Sequence, residues 1–293
     1  MEDRIIRGIT DNGLVRFFAV DATQTVKKAT KTHNFSITNS VVMGRLLSAA
    51  LIMGTEMKSP KDVITMQIES DGVADGAIVT SKGAGNVKCF LPRASEETPP
   101  NMDTGSIDVK KAVGNGVLKI IKELGMKTPY VGNVELLYGE IAQDITYYYA
   151  QSEQIPTSMG LGVLIFPNGE IKKAGGFMIQ LMPNTPESVI VKLEENLGKF
   201  PNLTDMMDMG YEIEELIEKF LLKGLKPKVL ETIPAQYKCD CSHERFRQGI
   251  KLLNKEELEK AIVDKEVLEA NCHFCNTSYK YGKEEIEDIL KEL

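Results

Sequence analysis

Tryptophan is absent, histidine occurs three times and cysteine five times in these 293 residues. Positive charge is also in short supply. Lys and Arg number 35 against 42 Asp and Glu, for a formal net charge of −7. That balance argues against a general binder of nucleic acid or anionic membrane, because clustered Lys and Arg capture such partners. No hydrophobic run has the length of a membrane span. The most apolar stretch, "SVVMGRLLSAALIMG" at 40–54, contains Arg45 and falls short of the roughly 20 residues a spanning helix needs, so a buried core helix is expected. The opening "MEDRIIRGITDNG" is charged and has no apolar h-region, unlike a secretory signal, so a cytoplasmic location is expected. No Gly-rich Walker loop with Lys and Ser or Thr is present, and "GAGN" at 83–86 reads as a turn. Internal repeats and low-complexity tracts are missing as well.

What is there has the texture of an ordinary globular protein, 42% hydrophobic and 26% charged, with length enough for a large domain and a smaller one. "GLVRFFAVDAT" and "DVITMQIESDG" read as strands that end in turn chemistry. "GAIVTSKGAGNVKCFL" reads as two strands about a Gly-rich turn at 82–86, and "GVLIFPNGEIKKAGGFMIQLM" as a hairpin turning at Pro167, Asn168 and Gly169. In "GEIAQDITYYYAQSEQIP" the residues Ile141, Ala142, Ile145, Tyr148 and Tyr149 recur at helical spacing. "GVLKIIKELG", 116–125, suits helix and strand equally. The elements do not alternate in a βαβ rhythm, so an α+β fold with a mixed, largely antiparallel sheet is expected over 1–182.

After Met182 two amphipathic stripes follow, Val189, Ile190, Leu193 and Leu197, then Ile213, Leu216, Ile217, Phe220 and Leu221, each requiring burial. Thr185-Pro186 marks a helix start with the proline in the first turn. Gly198, Pro201, Gly210 and Gly224 keep the helices short, and short helices depend on packing for their order. The helical linker, 183–232, is therefore either a static subdomain or a segment that folds conditionally. Residues 233–293 carry ten Lys or Arg against thirteen Asp or Glu and two helical stretches, "NKEELEKAIVDKEVLE" and "KEEIEDILKEL".

That last segment holds four of the five cysteines, in "YKCDCSHERF" and "NCHFCNTSY". Two close pairs, Cys239 with Cys241 and Cys272 with Cys275, lie on either side of a 30-residue loop, enough to close a tetrahedral zinc site. A segment this small buries little apolar surface, so a metal would supply stability its core lacks. A purely structural zinc site is the plainest reading of the pattern. Thiol-disulfide catalysis is a rival, but the βαβ surroundings of such motifs are absent. A zinc-ribbon nucleic-acid binder is another, supported only by Arg245, Arg247 and Lys251. His243 and His273 read as exposed polar residues, His33 has no partner that sequence can nominate, and Cys89 in "NVKCFL" reads as a small buried hydrophobe. A cysteine-only site has one further property. Its thiolates are what oxidants attack, and their oxidation would release the metal.

"CDCSHER" with "CHFCNTSYKY", "GEIAQDITYYYAQSEQIPTSMGLGV", "GGFMIQLMP" and "SVVMGRLLSAA", in this order and spacing, resemble the heat shock protein 33 family of bacterial redox-regulated holdase chaperones along essentially the whole chain. The resemblance implies an N-terminal α+β domain, a helical linker and a small C-terminal zinc-binding redox domain (233–293), with one zinc per chain on Cys239, Cys241, Cys272 and Cys275 in an inactive reduced form. It implies that oxidation joins Cys239 to Cys241 and Cys272 to Cys275, that zinc is released, that linker and small domain unfold, and that a dimer binds unfolded client proteins without ATP. Neither enzymatic activity nor a nucleic-acid or membrane partner is implied, and Cys89 stands outside the switch. A linker with apolar stripes and Met206, Met207 and Met209 suits a segment that covers a hydrophobic surface when folded and exposes it when released.

Overall fold

Strands β1 (Arg4–Thr10) and β2 (Val15–Asp21) bury side chains on both faces, so the sheet they begin has to be covered on both sides. The computed structural model describes residues 2–57, 59–83, 85–102 and 105–293, in two units, Met1–Lys238 and Cys239–Leu293.

In the first unit α1 (Thr23–His33) and α2 (Ile37–Gly54) follow β2, then β3 (Val63–Ser70), β4 (Ala77–Lys82), β5 (Asn86–Phe90), α3 (Val109–Val113), β6 (Gly116–Glu123) and β7 (Tyr130–Glu135). Next come α4 (Ala142–Tyr148), a π-helical turn at Tyr149–Glu153, β8 (Thr157–Ile165) and β9 (Ile171–Leu181). Helices α5 (Glu187–Lys199), α6 (Leu203–Asp208) and α7 (Ile213–Leu216), a second π turn (Ile217–Leu221), β10 (Pro227–Pro234) and β11 (Gln236–Tyr237) complete it. One sheet runs β10-β1-β2-β9-β8 and the other β11-β5-β4-β3-β6-β7. All their pairings are antiparallel except β11 with β5.

Helix α2 is the centre of the main core. Ser36 caps it, its side chain accepting from Asn39 N–H, and nearly every residue from Thr38 to Gly54 is buried, Leu47, Ala49, Leu51 and Ile52 completely. Among the described residues it is the one helix long and apolar enough to cross a membrane, and 89% of it is buried inside the protein. Arg45 is accommodated at its edge by Glu140, 2.6 Å away. At Gly44 a Cβ would stand 2.6 Å from Val163 Cγ2, so glycine lets the helix close on β8.

Alternation in β2 then assigns the faces. Phe18 and Val20 belong to the core around α2, whereas Val15, Phe17 and Ala19, with Ile6, Phe177 and Ile179, form a second apolar face. That second face is covered by Leu193, Leu203, Met206, Met207, Ile213, Leu216, Ile217 and Leu221, so the stripes read after Met182 share one core with the sheet and with each other, the first burying Leu193 and leaving Val189, Ile190 and Leu197 half-buried. Arg4 clamps the cover through Glu212 at 2.6 Å and Glu214 at 2.7 Å, and Lys172 reaches Asp208 at 2.6 Å.

The expected strands, hairpin and core helix are present, and the structure settles or refines several points. Of the ambiguous 116–125 segment, residues 116–123 are strand β6, lying between β3 and β7. The turn at 82–86 includes Ala84, outside the described residues; the strands beside it pair with Lys82 opposite Asn86. Pro186 is the N-cap of α5 rather than a residue of its first turn. Within 183–232 the chain also forms α6 and, from Pro227, the β10 strand, which pairs with β1; neither was read from the sequence.

The second unit contains α8 (His243–Ile250), α9 (Lys255–Val263), the hairpin of β12 (Leu268–Asn271) and β13 (Ser278–Tyr281), and α10 (Lys283–Lys291). Its apolar core is six buried residues, Ile250, Leu258, Ala261, Tyr281, Ile286 and Ile289.

Candidate metal centre

Two local structures supply the sulfurs. Cys239 and Cys241 lie on the approach to α8, whose N-cap Ser242 accepts from Arg245 N–H at 3.2 Å. Cys272 and Cys275 occupy the turn of the β12–β13 hairpin. There Cys275 and Asn276 N–H donate to the Cys272 carbonyl at 3.3 and 2.8 Å, and Cys272 N–H donates to Thr277. Asn276 takes the left-handed conformation, φ 54°, which asparagine tolerates better than most residues, and this folds the turn so that both thiols point the same way.

The four Sγ atoms lie within 4.8 Å of one another. Cys239 and Cys272 sulfurs are 3.7 Å apart, Cys241 and Cys275 3.3 Å. A tetrahedral zinc with bonds of about 2.3 Å has sulfur–sulfur edges of about 3.8 Å, so the donor set fits such an ion in number, type and spacing. Electrostatics points the same way. Burial, with the neighbouring sulfurs, pushes the Cys239 thiol up, and burial raises Cys272. Cys275 is opposed by burial too, yet hydrogen bonds from Thr277 and the adjacent thiols bring it down to about 7. Thiols crowded this closely resist joint ionisation, and a bound cation is what allows all four to be thiolates. The set can hold one metal ion.

Two partners of the sulfurs were not anticipated. Tyr279 hydroxyl is 3.1 Å from Cys241 Sγ, and Thr277 Oγ1 3.2 Å from Cys275 Sγ. Both belong to "CNTSY", where a hydroxyl two and four residues beyond a cysteine was the available signal. Phe246 of α8 stacks on Tyr279 with ring centroids 4.9 Å apart, joining the two cysteine-bearing segments.

The remaining candidates fall away from the centre. His243 is exposed and packs its ring on Tyr281, centroids 4.5 Å apart, and His273 is exposed; neither belongs to the sulfur cluster. Arg247 and Lys251 both pair with Glu292, and Arg245 lies 3.5 Å from Asp240, so each cation of that local basic cluster has a carboxylate partner. Cys89 is fully buried in β5, as expected of a small hydrophobe, and burial pushes its thiol up to about 12. His33, for which no partner was nominated, is buried with Nε2 2.7 Å from Tyr237 hydroxyl.

Fold and centre together define a two-unit α+β protein with a four-cysteine module able to hold a metal ion. A family model described as Hsp33 protein matches residues 3–282. A 33 kDa chaperonin of Lachnoclostridium phytofermentans is 41% identical over 290 residues, covering 99% of both chains, and one of Agathobacter rectalis is 40% identical, covering 99% of this chain and all of the other. The crystal structure of a 33 kDa chaperonin (heat shock protein 33 homolog) from Thermotoga maritima superposes with a TM-score of 0.91 at 32% identity, covering 100% of this chain and 99% of that one. The chain belongs to the Hsp33 family.

Proposed function

We propose that the chain is an ATP-independent holdase chaperone, inactive while reduced and metal-bound, and activated when oxidants join its clustered cysteines. The observation that carries this reading is the convergence of Cys239, Cys241, Cys272 and Cys275 in a unit whose own apolar core is only six residues. The ion is taken to be zinc, one per chain, which four thiolates suit; Cys239 and Cys241 before α8 and Cys272 and Cys275 in the β12–β13 turn would hold it, and holding it would join those two segments.

The chain does the rest. As thiolates the four sulfurs are nucleophiles for a peroxide or hypochlorous acid. Each pair, Cys239 with Cys241 and Cys272 with Cys275, gives up two electrons and becomes a disulfide, and a peroxide with two protons leaves as two waters. In the resting centre, sulfur contacts of 3.7 and 3.3 Å run between the pairs. Once the metal's hold is lost, loop closure favours partners two and three residues apart over partners more than thirty apart. Disulfides are poor ligands, so the small unit loses its tie. The linker, 183–232, then detaches from the 1–182 core, leaving Phe17, Phe177 and Ile179 to face water beside the released stripes. Apolar contact is non-directional, so such a surface takes many unfolded clients without reading their sequence.

Dimerisation on activation, action in the bacterial cytoplasm under oxidative stress, and the absence of catalysis or of nucleic-acid and membrane partners belong to the same reading. The pairing of Arg247 and Lys251 with Glu292 weighs against a nucleic-acid role. The test treats reduced, zinc-loaded protein with peroxide or hypochlorous acid while following zinc release, thiol count and aggregation of an unfolded client. Zinc ejection that leaves aggregation unchanged would sink the chaperone reading.

A further inference from the structure

Two residues before Cys239 the chain is stitched into the first unit at one place. Gln236 and Tyr237 form β11, the outermost strand beside β5, in the one parallel pairing of the two large sheets. Gln236 N–H donates to Gly85 and Lys238 N–H to Val87, both at 2.9 Å. Between them the Tyr237 ring drops into a slot made by β5 and α1 and is 3% exposed. Its hydroxyl lies 2.7 Å from His33 Nε2 and accepts from Cys89 N–H at 3.4 Å, with the Cys89 sulfur 3.8 Å away. Phe35 stacks on His33, ring centroids 5.2 Å apart, and closes the far side.

The slot thus engages extended backbone along the β5 edge and one aromatic ring, with a polar group waiting for a ring hydroxyl. None of this chemistry is particular to the segment that fills it. We propose that the β5–α1 slot is a docking site for an extended segment of unfolded polypeptide bearing an aromatic side chain, and that Gln236-Tyr237 is its built-in occupant in the resting protein. The β5 edge supplies sequence-independent hydrogen bonds, as in strand addition, and the His33–Phe35–Cys89 pocket supplies the aromatic preference. The opening of the slot on oxidation rests on the reading in the preceding subsection, since unfolding that begins at Cys239 reaches Tyr237 first. The existence of the slot does not.

Cys89 reports on it. Beneath Tyr237 the thiol is shielded, and burial holds its pKa at about 12, so N-ethylmaleimide should leave it unmodified in the reduced full-length protein, as followed by peptide mass. Replacing Tyr237→Ala removes a buried ring and should speed Cys89 labelling by roughly tenfold or more. Tyr237→Phe, which loses only the hydroxyl contacts, should change it by about fivefold or less. In the Tyr237→Ala protein that also carries Gln236→Pro and Lys238→Pro, which removes the two N–H groups holding the β5 edge, the peptide acetyl-Ala-Gln-Tyr-Lys-amide should slow labelling about twofold when its concentration equals its dissociation constant, and the same peptide with alanine for tyrosine should not. Labelling unchanged in a cooperatively folded Tyr237→Ala protein overturns the proposal, as does equal or no protection by the two peptides; Tyr237→Leu carries the same comparison if the alanine variant does not fold. In oxidised wild type, loss of zinc with Cys89 still protected overturns the use of the slot in activation. Retention of zinc after oxidation would instead count against the proposed function, and the reduced Tyr237→Ala comparison still decides the slot.

Discussion

Five cysteines in one chain meet two different fates, and their surroundings explain why. Cys89 is packed in a strand with a thiol pushed up by burial, whereas the other four face one another at the mouth of a hairpin and a helix. Only the latter can be thiolates together, and only with a cation between them. Replacing Cys272→Ser should therefore weaken zinc affinity by at least about tenfold and loosen the second unit under reducing conditions, as read by a chelator-competition titration. Cys89→Ala should leave the proposed one-zinc stoichiometry unchanged from wild type and cost about 1 kcal/mol in a urea titration. Equal zinc affinity in wild type and Cys272→Ser would remove that residue from the ligand set.

The decisive element is the helical cover on the β10-β1-β2-β9-β8 sheet. It is held by apolar contact and pinned by Arg4 against Glu212 and Glu214. Leu216 is 1% exposed, and Leu216→Ala should cost about 2–4 kcal/mol, appearing as faster proteolysis between Glu187 and Leu221. Arg4→Ala should cost about 1 kcal/mol, because Glu214 is more than a third exposed and solvent screens the pair. Burial raises the Glu214 carboxyl, but the hydrogen bonds from Arg4 outweigh it and leave it below the ordinary value of 4.5. A carboxylate depressed by folding contributes stability above its unfolded pKa and loses it as pH falls through the folded one. The gap in urea midpoint between wild type and Arg4→Ala should accordingly be full at neutral pH and narrow only as pH falls below 4.5 towards the depressed pKa of Glu214. A gap that persists at low pH would show that Arg4 acts through packing alone.

For the whole molecule, two units with unequal cores imply unequal dependence on the proposed metal. Six buried apolar residues stabilise Cys239–Leu293, against a core spanning two sheets and α2 in Met1–Lys238. Chelating the proposed zinc from the reduced protein should raise amide exchange throughout 239–293 while α2 and the inner strands keep their protection, as read by hydrogen-exchange mass spectrometry. Loss of protection in both units at once would mean that they are one cooperative structure.

Much of this was legible in the chain because it is written locally. Sulfur pairs two and three residues apart, alternating strands about a Pro-Asn-Gly turn and the apolar 40–54 run each declare themselves within a short window. The linker stripes announced that something had to cover them, though not that it would be the outer face of β1, β2 and β9. The segment 116–123 carries both periodicities, and pairing with β3 and β7 made it a strand. Strand β10, flanked by prolines and largely exposed, exists because β1 offers an edge more than two hundred residues earlier. His33, Cys89 and Tyr237 meet only through such pairing. The sequence alone determined which atoms could bind a metal and which segments had to be buried, since residue type and spacing are intrinsic to the chain. The tertiary structure decided what lies against what, since hydrogen-bonded edges and apolar faces choose their partners by geometry, not by distance along the backbone.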